Sequence, residues 1–351
     1  MKRLIQAVFI CLLVPGFLAA QQDYHLSQFF AAPITYNPAN SGAFQGDIRG
    51  SLNYRSQYGS ISNPFETFAF TADAPIKLTN EAYDNNFLGV GLSVVNDNSG
   101  IVGFNNFQIN GNVSYAIDLG GTDQLPHFIS LGLQLGYMQR SLNLNSASWE
   151  TQWTGVGFNQ GMDSGEPLSG TINESNIDLG AGVSWYNAID EGTTLLLGAA
   201  VLHGNAPQVD VLGSDEALMR KYIGHFSMAI NPEGSQVTYL PNLFVMFQGP
   251  NRVIDVGSEV EFSLWDRTQF TDFRNNLSTN FGAYYRLQDA IYFIGRVNYY
   301  DFSVGVSYDF TVSKLSQNNN GRGGVELVLS YQTRFSGPGY ERQKLIKSKG
   351  L

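Results

Sequence analysis

Four histidines, His25, His127, His203 and His225, are the side chains best suited to proton transfer or metal ligation in this chain. A hydrolytic centre needs one of them beside a serine, an aspartate or a metal. The sequence has no HExxH pair, and no GxSxG surrounds any serine. A serine or aspartate can still meet a histidine across strands, and His225, on the inward parity of its segment, is best placed for that. A packed interior imidazole is the simpler role for it. His127 and His203 fall at strand ends, where interfacial positions suit them. "NDNSG", Asn96 to Gly100, has some calcium-loop character but lacks the distal glutamate, so it reads as a hairpin turn. The acidic stripe Asp255, Glu259 and Glu261 could hold a cation, yet Arg286 and Arg296 fall on the next two strands, and paired charges explain the stripe better. No catalytic, metal-binding or cofactor-binding residue is assigned, and no enzyme is expected.

The elements that carry these side chains are set by alternation. In "FISLGLQLGYM", Ile129, Leu131, Leu133, Leu135 and Tyr137 oppose Ser130, Gly132, Gln134 and Gly136. "FLGVGLSVVND", "IDLGAGVSWY" and "FSVGVSYDF" repeat the pattern. Runs of this kind begin near Ile48, Thr67, Phe87, Phe107, Phe128, Ile177, Thr194, Tyr222, Val237, Val253, Leu277, Ala290, Phe302 and Val325, about fourteen strands, an even number as single-chain bacterial barrels have. A soluble sandwich would crowd its outer face with Lys and Glu. Here the second face is mostly Gly, Ser and Asn. The few strand charges also fall largely on it: Arg49, Arg55, Asp73, Asp178, Asp255, Glu259, Glu261, Arg286, Arg296, Asp309 and Glu326. Lipid exposure of Arg or Lys at mid-membrane costs about 2–4 kcal/mol, which gives that segregation its cause. The expected fold is all-β, a transmembrane outer-membrane barrel of about 14 antiparallel strands.

Export and composition agree with this. Lys2 and Arg3 precede an apolar run from Leu4 to Val14, and Ala19 and Ala20 offer a cleavage site, so residues 1–20 read as a signal peptide. Cys11, the only cysteine, lies within it, which excludes a disulfide framework from the mature chain. Removing Lys2 and Arg3 from 20 basic residues leaves 18 against 30 acidic ones, a net of about −12, so nucleic acid is not an expected partner. Charged residues are only 14% of the chain and mean hydropathy is −0.12, and no window after the signal is apolar enough for a spanning helix. The lipid bilayer and lipopolysaccharide are then the expected surroundings.

Four segments follow: the signal peptide 1–20, a lumen- or periplasm-facing stretch 21–46 with a short helix, a barrel over 47–335, and a basic periplasmic tail over 336–351. In the second, Asp23 is expected to cap a helix that puts Leu26, Phe29 and Phe30 on one face and ends at Pro33. Both chain ends are expected on the periplasmic side, which sends the long connections outward. The connection Ser141 to Asn176 carries Trp149, Trp153, Phe158 and Met162, suited to a partner surface, a lid folded over the barrel, or an interfacial girdle. The tail, with Arg342, Lys344, Lys347 and Lys349, suits an acidic periplasmic partner or a solvated terminus. A fourteen-strand lumen is wide enough for solutes unless filled, so a diffusion channel for small or hydrophobic solutes is the alternative function.

The block "HLSQFFAAPITYNPANSG" followed by "RGSLNYRSQYGSI" resembles the N-terminal signature of the PorP/SprF family of type IX secretion and gliding proteins. The matching steps are Ser27 to Phe30, Asn37 to Ala39 and Asn53 to Gln57, with echoes at Asp73 to Ile76, Leu88 to Asp97, Val304 to Leu315 and "GGVELVLSY". The aromatic loop after the fifth strand has no counterpart in that signature. The resemblance implies a non-enzymatic outer-membrane protein that takes the C-terminal targeting domain of a secreted protein or adhesin and anchors it at the cell surface, coupled to periplasmic or outer-membrane secretion and motility components. Leu26, Phe29, Phe30, Tyr36, Asn37 and Pro38 are the expected periplasmic contacts, and the four loop residues the expected cargo contacts.

Overall fold

A sheet that spans a bilayer has to close on itself, because a lipid-facing edge would leave backbone groups unpaired in hydrocarbon. The computed structural model describes residues 23–59, 63–78, 86–100, 103–122, 125–165, 170–209, 217–264 and 277–333. In it fourteen antiparallel strands form a closed barrel in sequence order. They are β1 (Ile48–Gln57), β2 (Phe65–Lys77), β3 (Phe87–Ser99), β4 (Phe104–Asp118), β5 (His127–Asn143), β6 (Thr171–Ala188), β7 (Thr193–Leu202), β8 (Lys221–Ile230), β9 (Val237–Gln248), β10 (Asn251–Ser263), β11 (Leu277–Arg286), β12 (Ala290–Tyr299), β13 (Phe302–Thr311) and β14 (Arg322–Thr333). The seam joins β1 to β14 from Ile48↔Thr333 to Gln57↔Gly324. Among the described residues no helix is long and apolar enough to cross a membrane. The proposed signal peptide and the basic tail lie outside the described residues.

Parity is as the alternation requires. Leu131, Leu133, Leu135 and Tyr137 of β5 and Phe302, Val304, Val306 and Phe310 of β13 face outward, while Ser130, Gln134, Ser307 and Asp309 are buried inside. The end where β1 begins and β14 finishes is called the near end. The opposite, far end carries the long connections 144–170, 203–220 and 312–321. The fifth and sixth strands are longer than alternation suggested, because β6 begins at Thr171 instead of Ile177. At the far end their outward residues turn polar, Gln139, Ser141 and Asn143 facing Ser175, Asn173 and Thr171. Their hairpin therefore leaves the apolar belt above Tyr137 and Ile177. "NDNSG" is the end of β3 and the turn after it, with Gly100 at φ +75°.

Residues 23–46 do not form the expected helix. Three 3₁₀ turns, Phe29–Ala31, Pro33–Thr35 and Pro38–Asn40, run through the barrel interior. Two prolines five residues apart forbid a longer helix, and each holds its predecessor out of the helical region: Ala32 at φ −127°, ψ 56° and Asn37 at φ −148°, ψ 112°. Upstream, backbone amides go to the barrel wall. Asp23 N donates to Gln248 Oε1 at 3.0 Å, and Ser27 N and Gln28 N donate to the Glu326 carboxylate at 2.6 and 3.1 Å.

Candidate functional site

The path of this segment defines the interior. Asp23 lies at the far end, against Gln248 at the close of β9 and Lys221 at the start of β8. Gly42 and Arg49 lie at the near end, both bonded to Asp73. Between them the chain crosses the lumen. Asp23 and Thr333, the first and last described residues, are thus at opposite ends of the barrel, and the two termini, expected on one side, lie outside the described residues. A segment that threads the lumen before starting β1 has no other arrangement open to it.

At the far end one carboxylate gathers three cations. Asp23 Oδ2 lies 2.6 Å from His203 Nε2 and 3.3 Å from Lys221 Nζ, and its Oδ1 is 3.5 Å from Arg140. His203 Nδ1 bonds Asp178 at 2.9 Å. An imidazole between two carboxylates donates from both nitrogens, which requires the cation. Burial alone would lower the His203 pKa, but Asp23 and Asp178 outweigh it and raise it to about 9. Burial likewise pushes the Asp23 carboxyl up, and Lys221, His203 and Arg140 together hold it well below its ordinary value. His203 is therefore a latch side chain, not an interfacial one. His203 was singled out in the sequence but not its partners, and Lys221 and Arg140 did not stand out, because nothing local signals a contact some 180 residues away.

Also in the far half of the lumen, Arg55, Arg286, Asp255, Asp309 and Glu326 form one network. Arg55 meets Asp309 at 2.7 Å and Glu326 at 3.1 Å, and Arg286 meets Asp255 at 3.1 Å and Asp309 at 2.9 Å. Ser27 sits in the middle: its hydroxyl donates to Asp309 at 2.9 Å and accepts from both Arg286 and Arg55. Arg49 pairs with Asp73 at 2.8 Å and Arg296 with Glu259 at 3.2 Å. Glu261 is half-buried one inward step from Glu259. The acidic stripe is thus occupied by arginines, and no group of metal-ligating side chains is found among the described residues.

The apolar side of the segment packs on the wall. Phe29 stacks on Phe244 at 4.9 Å, Tyr36 meets the same ring edge-on at 4.9 Å, and Phe30 lies under Arg296 at 4.4 Å. Asn37 Nδ2 donates to Val183 O at 3.0 Å and lies 3.0 Å from His225 Nε2, while its Oδ1 caps the Pro38 turn through Ala39 N. Leu26, Phe29, Tyr36, Asn37 and Pro38 are buried and Phe30 nearly so. These six residues, expected to meet a periplasmic partner, here meet the barrel. His225 is held by Asn37 and Asn40. The glycine face explains the fit: a Cβ on Gly132 would overlap the Ala39 backbone, and one on Gly89 would overlap Ser41 O. The matching blocks quoted from the sequence supply these contacts, Ser27 and Gln28, Asn37, then Asn53 and Arg55.

A cavity of about 260 Å³ remains in the near half between the segment and the wall, lined by Phe29, Phe30, Leu196, Met228, Leu240 and Arg296 among others. At the far end the β5–β6 loop folds on itself, with Trp153 and Phe158 bridged and their rings 5.0 Å apart. Trp153, Phe158 and Met162 are exposed, and Val156 at their tip is 95% exposed. Trp149 precedes the turn that opens this fold, its amide bonded to Gln152 Oε1. The second connection covers part of the mouth, Val209 and Leu218 closing over Met138.

The family model described as type IX secretion system membrane protein PorP/SprF matches residues 18–331. No curated protein matches the chain. Among solved structures, the toluene transporter TbuX of Ralstonia pickettii is 13% identical with a TM-score of 0.49, over 87% of this chain and 94% of that one. The CymD monoaromatic hydrocarbon channel is 12% identical with a TM-score of 0.49, over 88% and 93%. The toluene transporter TodX of Pseudomonas putida is 11% identical with a TM-score of 0.45, over 89% and 95%. These likenesses are too slight to bear on function.

Proposed function

Since the chain belongs to the family of type IX secretion system membrane proteins PorP/SprF, we propose that it is a sealed outer-membrane anchor that holds the C-terminal targeting domain of a secreted protein or adhesin at the cell surface. The observation that carries this reading is the filled lumen: residues 23–46 are bonded to opposite walls along its length. Such an interior suits a platform better than a pore. In this reading the near end, which holds β1's start and β14's close, faces the periplasm, and the far end faces out. Trp149, Trp153, Phe158 and Met162 then form the cargo surface, since large aromatics concentrate binding energy at interfaces. Leu26, Phe29, Phe30, Tyr36, Asn37 and Pro38 serve coupling indirectly, by fixing the plug whose near-end rim meets the secretion machinery. The solute channel is the alternative, and the 260 Å³ cavity gives it a foothold.

One experiment separates the two. Detergent-solubilised protein is offered isolated C-terminal targeting domains of proteins that the same cell secretes, and the same preparation is placed in planar bilayers. Retention of a domain with no steady conductance is the expected result. Large, steady openings with no domain retained replace the anchor by the channel.

A further inference from the structure

The wall of the barrel is uneven at the far end. β6 pairs with β5 along its whole length, from Thr171↔Asn143 to Asn187↔His127. With β7 it pairs only from Ala181 to Ala188. The upper part of β6 therefore has one free side. Its first step is dressed by the following connection: Leu179 N donates to Asn205 Oδ1 at 3.0 Å, Asn205 Nδ2 donates to Ile177 O at 2.7 Å, and Gly204 N donates to Leu179 O at 2.7 Å. One asparagine side chain thus imitates a strand residue. These bonds also show that the odd-numbered residues of β6 turn their N–H and C=O to this side. Above them, among the described residues, nothing pairs with Ser175, Asn173 and Thr171 there.

That edge runs from Thr171 to Ser175, roughly 17 Å of strand. It contains neither proline nor lysine, two usual guards of an open edge. It stands above the apolar belt, where Tyr137 OH bonds Ser175 Oγ at 2.9 Å and the outward residues are polar. The exposed Trp153–Phe158 tip belongs to the same hairpin.

We propose that the free edge Thr171–Ser175 of β6 is a docking site for an extended strand of the secreted partner, which adds to the barrel wall as a further strand. The inference rests on the cargo-anchoring reading above and names the contact by which it works. A row of backbone donors and acceptors without a protein partner is the pattern that an added extended strand completes. A second copy of this chain is the weaker match. In one membrane both β6 strands run the same way, so two copies cannot form the antiparallel ladder that every pair in this barrel uses. A domain arriving from the aqueous side is free to present its strand in that direction.

The test is Asn173→Pro with Ser175→Pro. Both N–H groups point to the free side, so the β5 ladder keeps its bonds, and proline is tolerated on an edge of this kind. Affinity for an isolated C-terminal targeting domain that wild-type protein retains should fall at least tenfold, with heat-modifiable gel mobility unchanged. In the wild-type complex, amide exchange at Thr171, Asn173 and Ser175 should slow at least tenfold, a readout that stands even if the double proline disturbs the hairpin. Unchanged affinity and unprotected amides, with binding lost in Trp153→Ala/Phe158→Ala, overturn strand addition and leave the cargo reading intact. Failure of the wild-type protein to retain any targeting domain removes the cargo reading and this inference together. Dimers in the wild type that the prolines abolish assign the edge to a second copy and overturn the proposal.

Discussion

His203 illustrates how a single side chain holds the plug. Both its nitrogens donate to carboxylates, Asp178 at 2.9 Å and Asp23 at 2.6 Å, and its pKa stands at about 9, above the ordinary 6.5. A folded-state value raised in this way contributes fully below about 6.5 and is lost as pH rises through about 9. Asp23, held low, contributes above its ordinary range and is lost only as pH falls below it. Protection of the amides of residues 23–28 should therefore be greatest between about pH 4 and 6.5 and fall as the pH passes about 9, by on the order of 3 kcal/mol. In His203→Gln the upper transition should vanish, and exchange measured against pH, corrected for the intrinsic rate, checks both. Little of this was legible beforehand. Asp23 suggested a helix cap because its neighbours have helical spacing. Its actual partners come from β5, β8 and the turn after β7, and only tertiary structure brings them together. The lumen charges were legible, because parity alone places Arg55, Asp255, Arg286, Asp309 and Glu326 on the inner face.

At the scale of elements, the strands were the readable part. Period-two alternation locates most to within about three residues, and the one that differs most, β6, begins with a far-rim stretch, Thr171 to Asn176, whose outward residues are polar and give alternation nothing to register. The segment before β1 was half readable: Pro33 and Pro38 mark its breaks, but its depth inside the barrel is set by glycines on strands far along the chain. Its removal has a sharp expected effect. Deleting Asp23 to Pro38 leaves the fourteen-strand ladder and the Arg55–Asp309 and Arg286–Asp255 pairs untouched, so the barrel should remain folded and heat-modifiable. Steady conductance in planar bilayers should then appear where the intact chain shows none, since a fourteen-strand lumen without a filling is wide enough for water and ions. A deletion variant as silent as the parent would mean that the segment is not what closes the lumen.

For the molecule as a whole, the outward face decides where it resides. Leu133, at the middle of β5 and 69% exposed, heads a belt that includes Leu131, Leu135, Ile177 and Phe293. In water this belt would be an aggregation surface, and in lipid it is the solvent contact. Leu133→Arg should cost about 2–4 kcal/mol in denaturant unfolding from liposomes, whereas the same cost should be absent at Ser141, where the hairpin has left the hydrocarbon. Equal effects at the two positions would contradict the membrane boundary drawn here at Tyr137. The seam adds a last consequence. Glu326 on β14, the final strand to be synthesised, takes the amides of Ser27 and Gln28, and it pairs with Arg55 of β1 across the closing edge. The closing of the cylinder and the seating of Ser27 and Gln28 inside it thereby draw on one and the same carboxylate.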